Sequence, residues 1–112
     1  MKHLPPTLRE DQRYLKFKIH SEEDVEFSDV VEAIWDSALG FLGEKDLSRA
    51  DPWIMKNLYS AGKQEGVIKI NSKAEEDFRA SLLFISQISG SKAFVSVEQV
   101  SGTVKSLEGV EK

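Results

Sequence analysis

A strict alternation of apolar and polar residues stands out near the start of the chain. Between residues 13 and 19 the apolar positions are Leu15, Phe17 and Ile19. The polar positions between them are Tyr14, Lys16 and Lys18. A period of two predicts a β-strand with one buried and one exposed face. The three polar side chains are therefore expected to lie together on the exposed face.

A helical pattern follows this strand. Apolar residues recur three to four positions apart over about residues 28–42, which predicts an amphipathic helix. Ser28 is suited to be its N-cap, and Gly43 is suited to be its C-cap. Trp35 lies on the apolar side of this helix, and we expect it in the core. Trp53 is either a core residue or an interface anchor, and the core is favoured.

The remaining chain predicts a hairpin, a second helix and a last strand. Residues 53–59 and 67–70 are strand-forming segments separated by a turn that contains two glycines. Ser72 opens a capping box for a helix over about residues 73–89, where apolar residues again recur at helical spacing. Residues 92–100 form the last predicted strand.

The predicted order of elements is β-α-β-β-α-β. Right-handed crossovers and a central hairpin then give an α+β sandwich of ferredoxin-like (RNA-recognition-domain-like) topology, with a four-stranded antiparallel sheet and two helices on one face. The expected strand order is 4-1-3-2, and the other face of the sheet is expected to be uncovered. A single domain at 13–106 would lie between an extended basic arm at 1–12 and a flexible tail at 107–112.

Composition excludes several kinds of chemistry. The chain has no cysteine and two histidines, so thiolate sites are excluded and no Ser-His-Asp arrangement is supported. We therefore expect no catalytic residue, no metal site and no cofactor bound by the protein itself. No apolar run approaches the roughly 20 residues of a membrane helix, and the N-terminus lacks a signal-peptide core, so we expect a cytoplasmic protein.

Charge is unevenly distributed along the chain. Residues 1–20 carry a net charge of +3, residues 21–46 carry −8, and residues 47–112 carry +1, which together give −4. A negative total disfavours a free-standing nucleic-acid binder, although the basic arm and strand face suit RNA phosphates. Base stacking is less well supported, because the third strand offers Val67 and Lys69 in place of aromatic residues. A solvated basic surface without a ligand explains these residues about equally well.

Several short segments, in order, resemble a known family. They are KHLPPTLRE at 2–10, RYL at 13–15, VEAIWD at 31–36, FLG at 41–43, SRADPWI at 48–54 and VSGTVK at 100–105. The ordered set covers nearly the whole chain and is similar to the archaeal ribonuclease P protein component 2. One departure is Asp51, which stands where the family is expected to have asparagine and weakens a role for that loop in RNA contact.

The resemblance implies a protein subunit of ribonuclease P, the ribonucleoprotein that removes the 5′ leader from precursor tRNA. The RNA subunit cleaves with magnesium, so the protein is expected to be non-catalytic by itself. The implied partners are ribonuclease P RNA, precursor tRNA indirectly, and ribonuclease P protein component 3. The resemblance also implies that two copies of the protein pair assemble through this subunit, as a homodimer within a heterotetramer.

Cations are the expected RNA-binding residues. The resemblance carries this role to Arg9, Arg13, Arg49 and Lys105. Charge and placement add Lys16, Lys18, Lys73 and Lys92. We expect the arginines of the arm to share one surface with the lysines of the first strand.

Two other functions fit the predicted topology. A small-molecule-binding regulatory module of ferredoxin-like topology would dimerise and would be stabilised by its ligand. An acylphosphatase-like hydrolase would need a cationic phosphate cradle after the first strand, where this chain has the acidic run 21–24. An assay of acylphosphate hydrolysis by the purified chain separates the second alternative from the first.

Overall fold

The computed structural model describes residues 11–110; the arm through residue 10, which includes Arg9, and residues 111–112 lie outside the described part. The elements in chain order are β1 (Gln12–His20), α1 (Phe27–Ala50), β2 (Trp53–Ile54), β3 (Glu65–Asn71), α2 (Glu75–Leu82), β4 (Gln87–Ile88), β5 (Ser91–Lys92) and β6 (Phe94–Ser101). Short 3-10 turns lie at Lys56–Leu58 and Ser72–Ala74.

The main sheet confirms the predicted topology. Its four strands lie in the order β2-β3-β1-β6, which is the expected 4-1-3-2 order with β6 as the fourth strand. All neighbouring strands are antiparallel. The pairing of β1 with β6 shifts register between Lys16 and Phe17, as in a β-bulge.

The core lies between the sheet and the two helices. The alternation along β1 is confirmed, because Leu15, Phe17 and Ile19 are fully buried while the lysines between them are not. The same cluster includes Ile34 of α1 and Phe78 of α2, so both helices cover one face of the sheet. The α+β sandwich is therefore confirmed.

The first helix is longer than predicted. It extends to Ala50 and is interrupted at Gly43, whose φ of 79° and ψ of 167° are not helical. Gly43 thus ends the first straight segment, as its positive φ allows for glycine. The chain then resumes the helix, and Leu47 and Ala50 are buried. The prediction that the helix ends at about residue 42 is therefore wrong, because the second segment continues it to Ala50.

The second helix is shorter than predicted. It ends at Leu82, and Ile85 and Ile88 are buried from the following loop and hairpin instead. The hairpin joins β4 to β5 through Ser89 and Gly90, both with positive φ. Two central residues with positive φ match a type I′ hairpin turn.

The helix caps and the length of the second strand also differ from the prediction. The first helix begins at Phe27, and Glu26, with no side-chain bond, takes the N-cap position assigned to Ser28. No capping box forms at Ser72, since the Asn71 side chain accepts the bond from the Lys73 N–H. The predicted strand over 53–59 is limited to β2.

Both tryptophans are exposed, which is contrary to the prediction that they are core residues. Trp35 lies on α1, where Ile34 and Ala38 supply the buried contacts. Trp53 precedes Ile54, which is partly buried and packs against the core. Because side chains alternate along a strand, Ile54 facing inward places Trp53 on the opposite face of the sheet.

Tyr59 gives a pH-dependent stability that can be measured. Its hydroxyl donates to the Val25 carbonyl at 2.5 Å, and burial together with the nearby charge of Asp24 raises the pKa of Tyr59. A raised folded-state pKa gives a stability contribution that is complete below the unfolded value of about 10 and is lost as pH rises through the folded value. We expect the free energy of unfolding, measured with urea, to fall between pH 8 and pH 10 to 11 in the wild type. In Tyr59→Phe this fall should be smaller. An identical alkaline loss in both proteins would contradict this assignment.

Candidate nucleic-acid interface

The sheet face opposite the helices carries two of the eight residues predicted to contact RNA, Lys16 and Lys18. Strand register places Tyr14, Lys16 and Lys18 of β1 on this open face, with Lys69 of β3 directly opposite Tyr14. Among the described strand residues that register places there, three are lysines and one, Glu65, is acidic. This local excess of positive charge contrasts with the net charge of −4 for the chain. The open face therefore suits an anionic partner better than the chain as a whole does.

The open face is not bare, which corrects the prediction. The segment after β6 crosses its middle: Gln99 donates to the Ser106 carbonyl at 3.1 Å and accepts from the Glu108 N–H at 2.9 Å. Leu107 in this segment is only 4% exposed. Val67, which lies on the open face opposite Lys16, is fully buried. The residues 107–110 of the predicted flexible tail thus pack on the sheet and divide its open face into two ends.

Lys16 is held by this C-terminal segment. Its Nζ donates to the Glu108 carbonyl at 2.7 Å and lies 3.8 Å from a Glu65 carboxylate oxygen. The Lys16 side chain is only 13% exposed. In this arrangement its charge is satisfied within the chain, and a phosphate would have to displace Glu108 to reach it. An RNA-binding role for Lys16 stays a prediction.

One end of the open face is formed by Trp53, Lys69 and Tyr14, which we call the sheet-end platform. Trp53 pairs with Lys69 across β2 and β3, and Lys69 pairs with Tyr14 across β3 and β1. The Lys69 Nζ lies 6.0 Å from the centre of the Trp53 ring. Sequence reasoning favoured the core for Trp53 over an interface anchor and so did not include it in the RNA site. The pairing of the hairpin strands is the signal that would have found it.

The other end of the open face also carries aromatic rings that sequence reasoning missed. The His20 ring stacks on Phe94 with centroids 4.3 Å apart and an angle of 7° between the rings. His20 Nε2 lies 2.8 Å from the Ser96 hydroxyl, so the imidazole is held in place. Lys92 lines the adjoining cleft with two carboxylates, Glu22 and Glu23. Those carboxylates would repel a phosphate at Lys92.

Arg13 does not share the open face. It lies one residue from Tyr14 and pairs with the buried Ile70, so register directs its side chain toward the helix side of the sheet. Its guanidinium donates to the Gln12 carbonyl at 2.9 Å. The expectation that the arm's arginines share one surface with the β1 lysines is therefore wrong for Arg13. Arg9 lies outside the described residues.

Arg49 and Lys73 lie together elsewhere. Both line a cleft between the end of α1 and the turn before α2. Three carboxylates line the same cleft, those of Asp46, Asp51 and Asp77. Acidic groups outnumber the cations there, which disfavours a phosphate, and an RNA-binding role for Arg49 and Lys73 stays a prediction. Lys105 is separate and exposed in the turn after β6.

The helix layer carries a third feature, an apolar patch of Phe41, Leu83 and Phe84. The Phe41 and Phe84 ring centroids are 5.1 Å apart, and all three side chains are exposed. An exposed group of large apolar side chains is a common mark of a protein interface. Sequence reasoning did not single out these three side chains; α2 ends at Leu82, directly before Leu83 and Phe84.

Residues 11–110 contain neither a metal site nor a membrane-spanning helix. No group of three His, Asp or Glu side chains there is placed to hold a metal ion. None of the helices in that stretch combines the length and the hydropathy required to cross a bilayer. The acidic residues 22–26 lie in the connection from β1 to α1 and its N-cap, at the edge of the open face.

Comparison with known sequences identifies relatives along most of the chain. A sequence model described as the Rpp14/Pop5 family matches residues 13–110. Ribonuclease P protein component 2 of Pyrococcus furiosus is 40% identical over 107 residues, which cover 96% of this chain and 88% of the relative. The protein of the same name from Methanosarcina mazei is 38% identical over 105 residues, which cover 94% of this chain and 87% of the relative.

A solved structure shows the same fold. A chain in the cryo-EM structure of yeast ribonuclease MRP matches with a TM-score of 0.66 and 15% identity, covering 89% of this chain and 80% of that chain. The family match and the curated relatives agree with the motifs that first suggested a resemblance. The chain belongs to the Rpp14/Pop5 family, which it shares with the archaeal ribonuclease P protein component 2.

Proposed function

We propose that this chain is a protein subunit of ribonuclease P that binds the catalytic RNA and supports removal of the 5′ leader from precursor tRNA. The observation that carries this proposal is the family membership of a chain whose open sheet face concentrates lysines. The RNA, with magnesium, performs the cleavage, and this chain contributes no catalytic residue and no bound cofactor. The complex acts in the cytoplasm.

The mechanism is electrostatic positioning of RNA. Each Lys or Arg that contacts a phosphate releases condensed counterions, so affinity falls steeply as salt increases. Lys18 and Lys69 are on the open face without an ion pair among the described residues, and Lys105 lies exposed beside the end of β6. Cations held on a rigid sheet would stabilise the folded RNA and lower its requirement for magnesium.

The protein partners are those that the family implies. Ribonuclease P protein component 3 pairs with this subunit, and two such pairs join through a homodimer of it within a heterotetramer. The apolar patch of Phe41, Leu83 and Phe84 supports a protein contact on the helix layer, away from the lysines of the open face. RNA and protein partners would then occupy opposite sides of the sandwich.

Substitution of Lys18, Lys69 and Lys105 by alanine tests the role of the cations that the mechanism uses. We expect the triple variant to support cleavage by the RNA and component 3 only at higher magnesium. Its RNA affinity should have a shallower salt dependence, by about 0.7 to 0.9 in logarithmic slope for each phosphate that the variant no longer neutralises. Affinity is measured by filter binding between 50 and 300 mM salt.

The matched control is Lys45→Ala, which removes an exposed cation from α1. Its salt dependence is expected to equal that of the wild type. If the triple variant supports cleavage at the wild-type magnesium concentration and has the wild-type salt slope, these three residues do not bind RNA.

A further inference from the structure

We infer that the sheet-end platform binds an unpaired segment of RNA, with bases stacked on Trp53 and Tyr14 and a phosphate at Lys69. This inference rests on the proposed function and specifies which form of RNA the open face takes. The three residues stand side by side because two direct cross-strand pairs link them across β2, β3 and β1. Adjacent strands are about 4.8 Å apart, so the backbones of Trp53 and Tyr14 lie at about that distance on either side of Lys69.

The exposure of Trp53 is the first support. Its side chain is 64% exposed, although burying an aromatic ring of this size is among the largest apolar gains available in folding. The ring is oriented by Lys69, whose Nζ at 6.0 Å from the centroid is within the range of a cation–π contact. One face of the indole is therefore set beside a fixed positive charge.

The local backbone holds this arrangement rigidly. After α1, Asp51 adopts the left-handed conformation with φ of 47° and its N–H bonds the Leu47 carbonyl. Pro52 follows and is buried. Ile54 then packs against the core, which fixes the outward direction of Trp53. The backbone therefore presents the ring on the open face before any ligand binds, which lowers the entropy cost of stacking.

The chemistry of the sheet-end platform favours RNA over a protein partner. Protein interfaces are enriched in aromatic residues but depleted of lysine. The sheet-end platform places a lysine between two rings, on a face with three lysines and one glutamate. Aromatic rings that stack on bases beside a cation for the phosphate are the usual means of binding single strands. A duplex hides the faces of its bases, so the RNA must be unpaired.

The test uses Trp53 as its own reporter. The chain has two tryptophans, so Trp35→Phe leaves Trp53 as the single one. In this background we expect a ten-nucleotide oligouridine to quench the fluorescence and duplex RNA of the same length to leave it unchanged. Trp53→Ala, measured by filter binding because the variant lacks the reporter, should weaken oligouridine binding about 5- to 150-fold, the equivalent of one stacked base. Trp53→Phe, which keeps a ring, should restore most of that affinity.

Substitution of Lys69, with Lys45 as the control, distinguishes the contribution of charge to RNA binding from that of stacking. Lys69→Ala should reduce the salt slope for oligouridine by about 0.7, as for one phosphate of a single strand. Lys45→Ala on α1 should leave that slope unchanged. Thermal unfolding of each variant confirms that the exposed substitutions leave the fold intact.

Three results would overturn the inference. They are oligouridine binding by Trp53→Ala within twofold of the parent, equal quenching by duplex RNA, and loss of component 3 binding by Trp53→Ala with RNA binding retained. The last result would assign the platform to a protein. Cleavage assays keep the two proposals apart: if the wild type supports precursor-tRNA cleavage while the platform variants bind oligouridine normally, only this inference fails. If the wild type gives no support, the proposed function fails.

Discussion

Leu107→Ala is expected to lower the free energy of unfolding by about 2 to 5 kcal/mol, the usual range for truncating a buried leucine. Leu107 is only 4% exposed and anchors the segment that crosses the open face. The polar bonds of that segment, from Gln99 and Lys16, depend on the anchor staying in place. Urea unfolding followed by circular dichroism measures the change.

Leu83→Ala is the matched control for this substitution. Leu83 is 78% exposed, so the same truncation should change the free energy of unfolding by less than about 0.5 kcal/mol. Equal effects of the two substitutions would show that the C-terminal segment is not anchored by Leu107. A large loss at Leu107 alone supports its place in the folded domain.

Gly66→Ala is the second substitution with a large expected effect, a loss of about 1 to 3 kcal/mol from overpacking. A Cβ at Gly66 would lie 2.6 Å from Cζ and 2.8 Å from Cε2 of Phe17, and 3.1 Å from Cδ1 of Tyr59. Phe17 is fully buried, so its ring has no free space into which to move. Thermal and urea unfolding of the variant measure the loss.

Two further variants make this prediction specific. Phe17→Leu removes the ring carbons that clash, so the double variant with Gly66→Ala should lose less stability than the two single losses added together. Gly40→Ala has no atom within 4 Å of the new methyl group and lies in α1, so it should stabilise the protein by about 0.5 to 1 kcal/mol. Additive losses at Gly66 and Phe17, or a loss at Gly40, would contradict the packing described.

Long periodic segments made the fold predictable from the sequence. The alternation in β1 and the helical spacing in α1 each extend over enough residues to distinguish a strand from a helix. With the hairpin of β2 and β3, they leave few topologies for a chain of this length. The predicted strand order followed from these elements and is confirmed.

Short segments were not predictable in the same way. Ile85 and Ile88 continue the spacing of α2 but belong to the loop and hairpin that follow it, because two apolar residues three apart fit either structure. The Ser89-Gly90 turn was the available signal. In the segment 101–110 the apolar residues are Val104, Leu107 and Val110, and three residues at this spacing are too short a pattern to indicate which of them is buried.

The candidate site was only partly predictable for a related reason. Alternation identified the lysines of the open face but not the partners that the tertiary structure gives them, so the bond from Lys16 to Glu108 had no sequence signal. Trp53 was misassigned because a two-residue strand does not reveal which of its side chains faces the core. For Arg13 the alternation of β1 already indicated the side of the sheet that carries Leu15, and the resemblance that suggested its RNA-binding role carried no information on side-chain direction.

The most direct measurement is removal of the 5′ leader from precursor tRNA by ribonuclease P RNA and protein component 3, with and without this chain. The proposal of a non-catalytic, RNA-positioning subunit predicts faster cleavage at a lower magnesium midpoint when the chain is added, and no cleavage by the chain alone. The same rate and the same magnesium midpoint in both reactions, or cleavage by the purified chain without RNA, would contradict it.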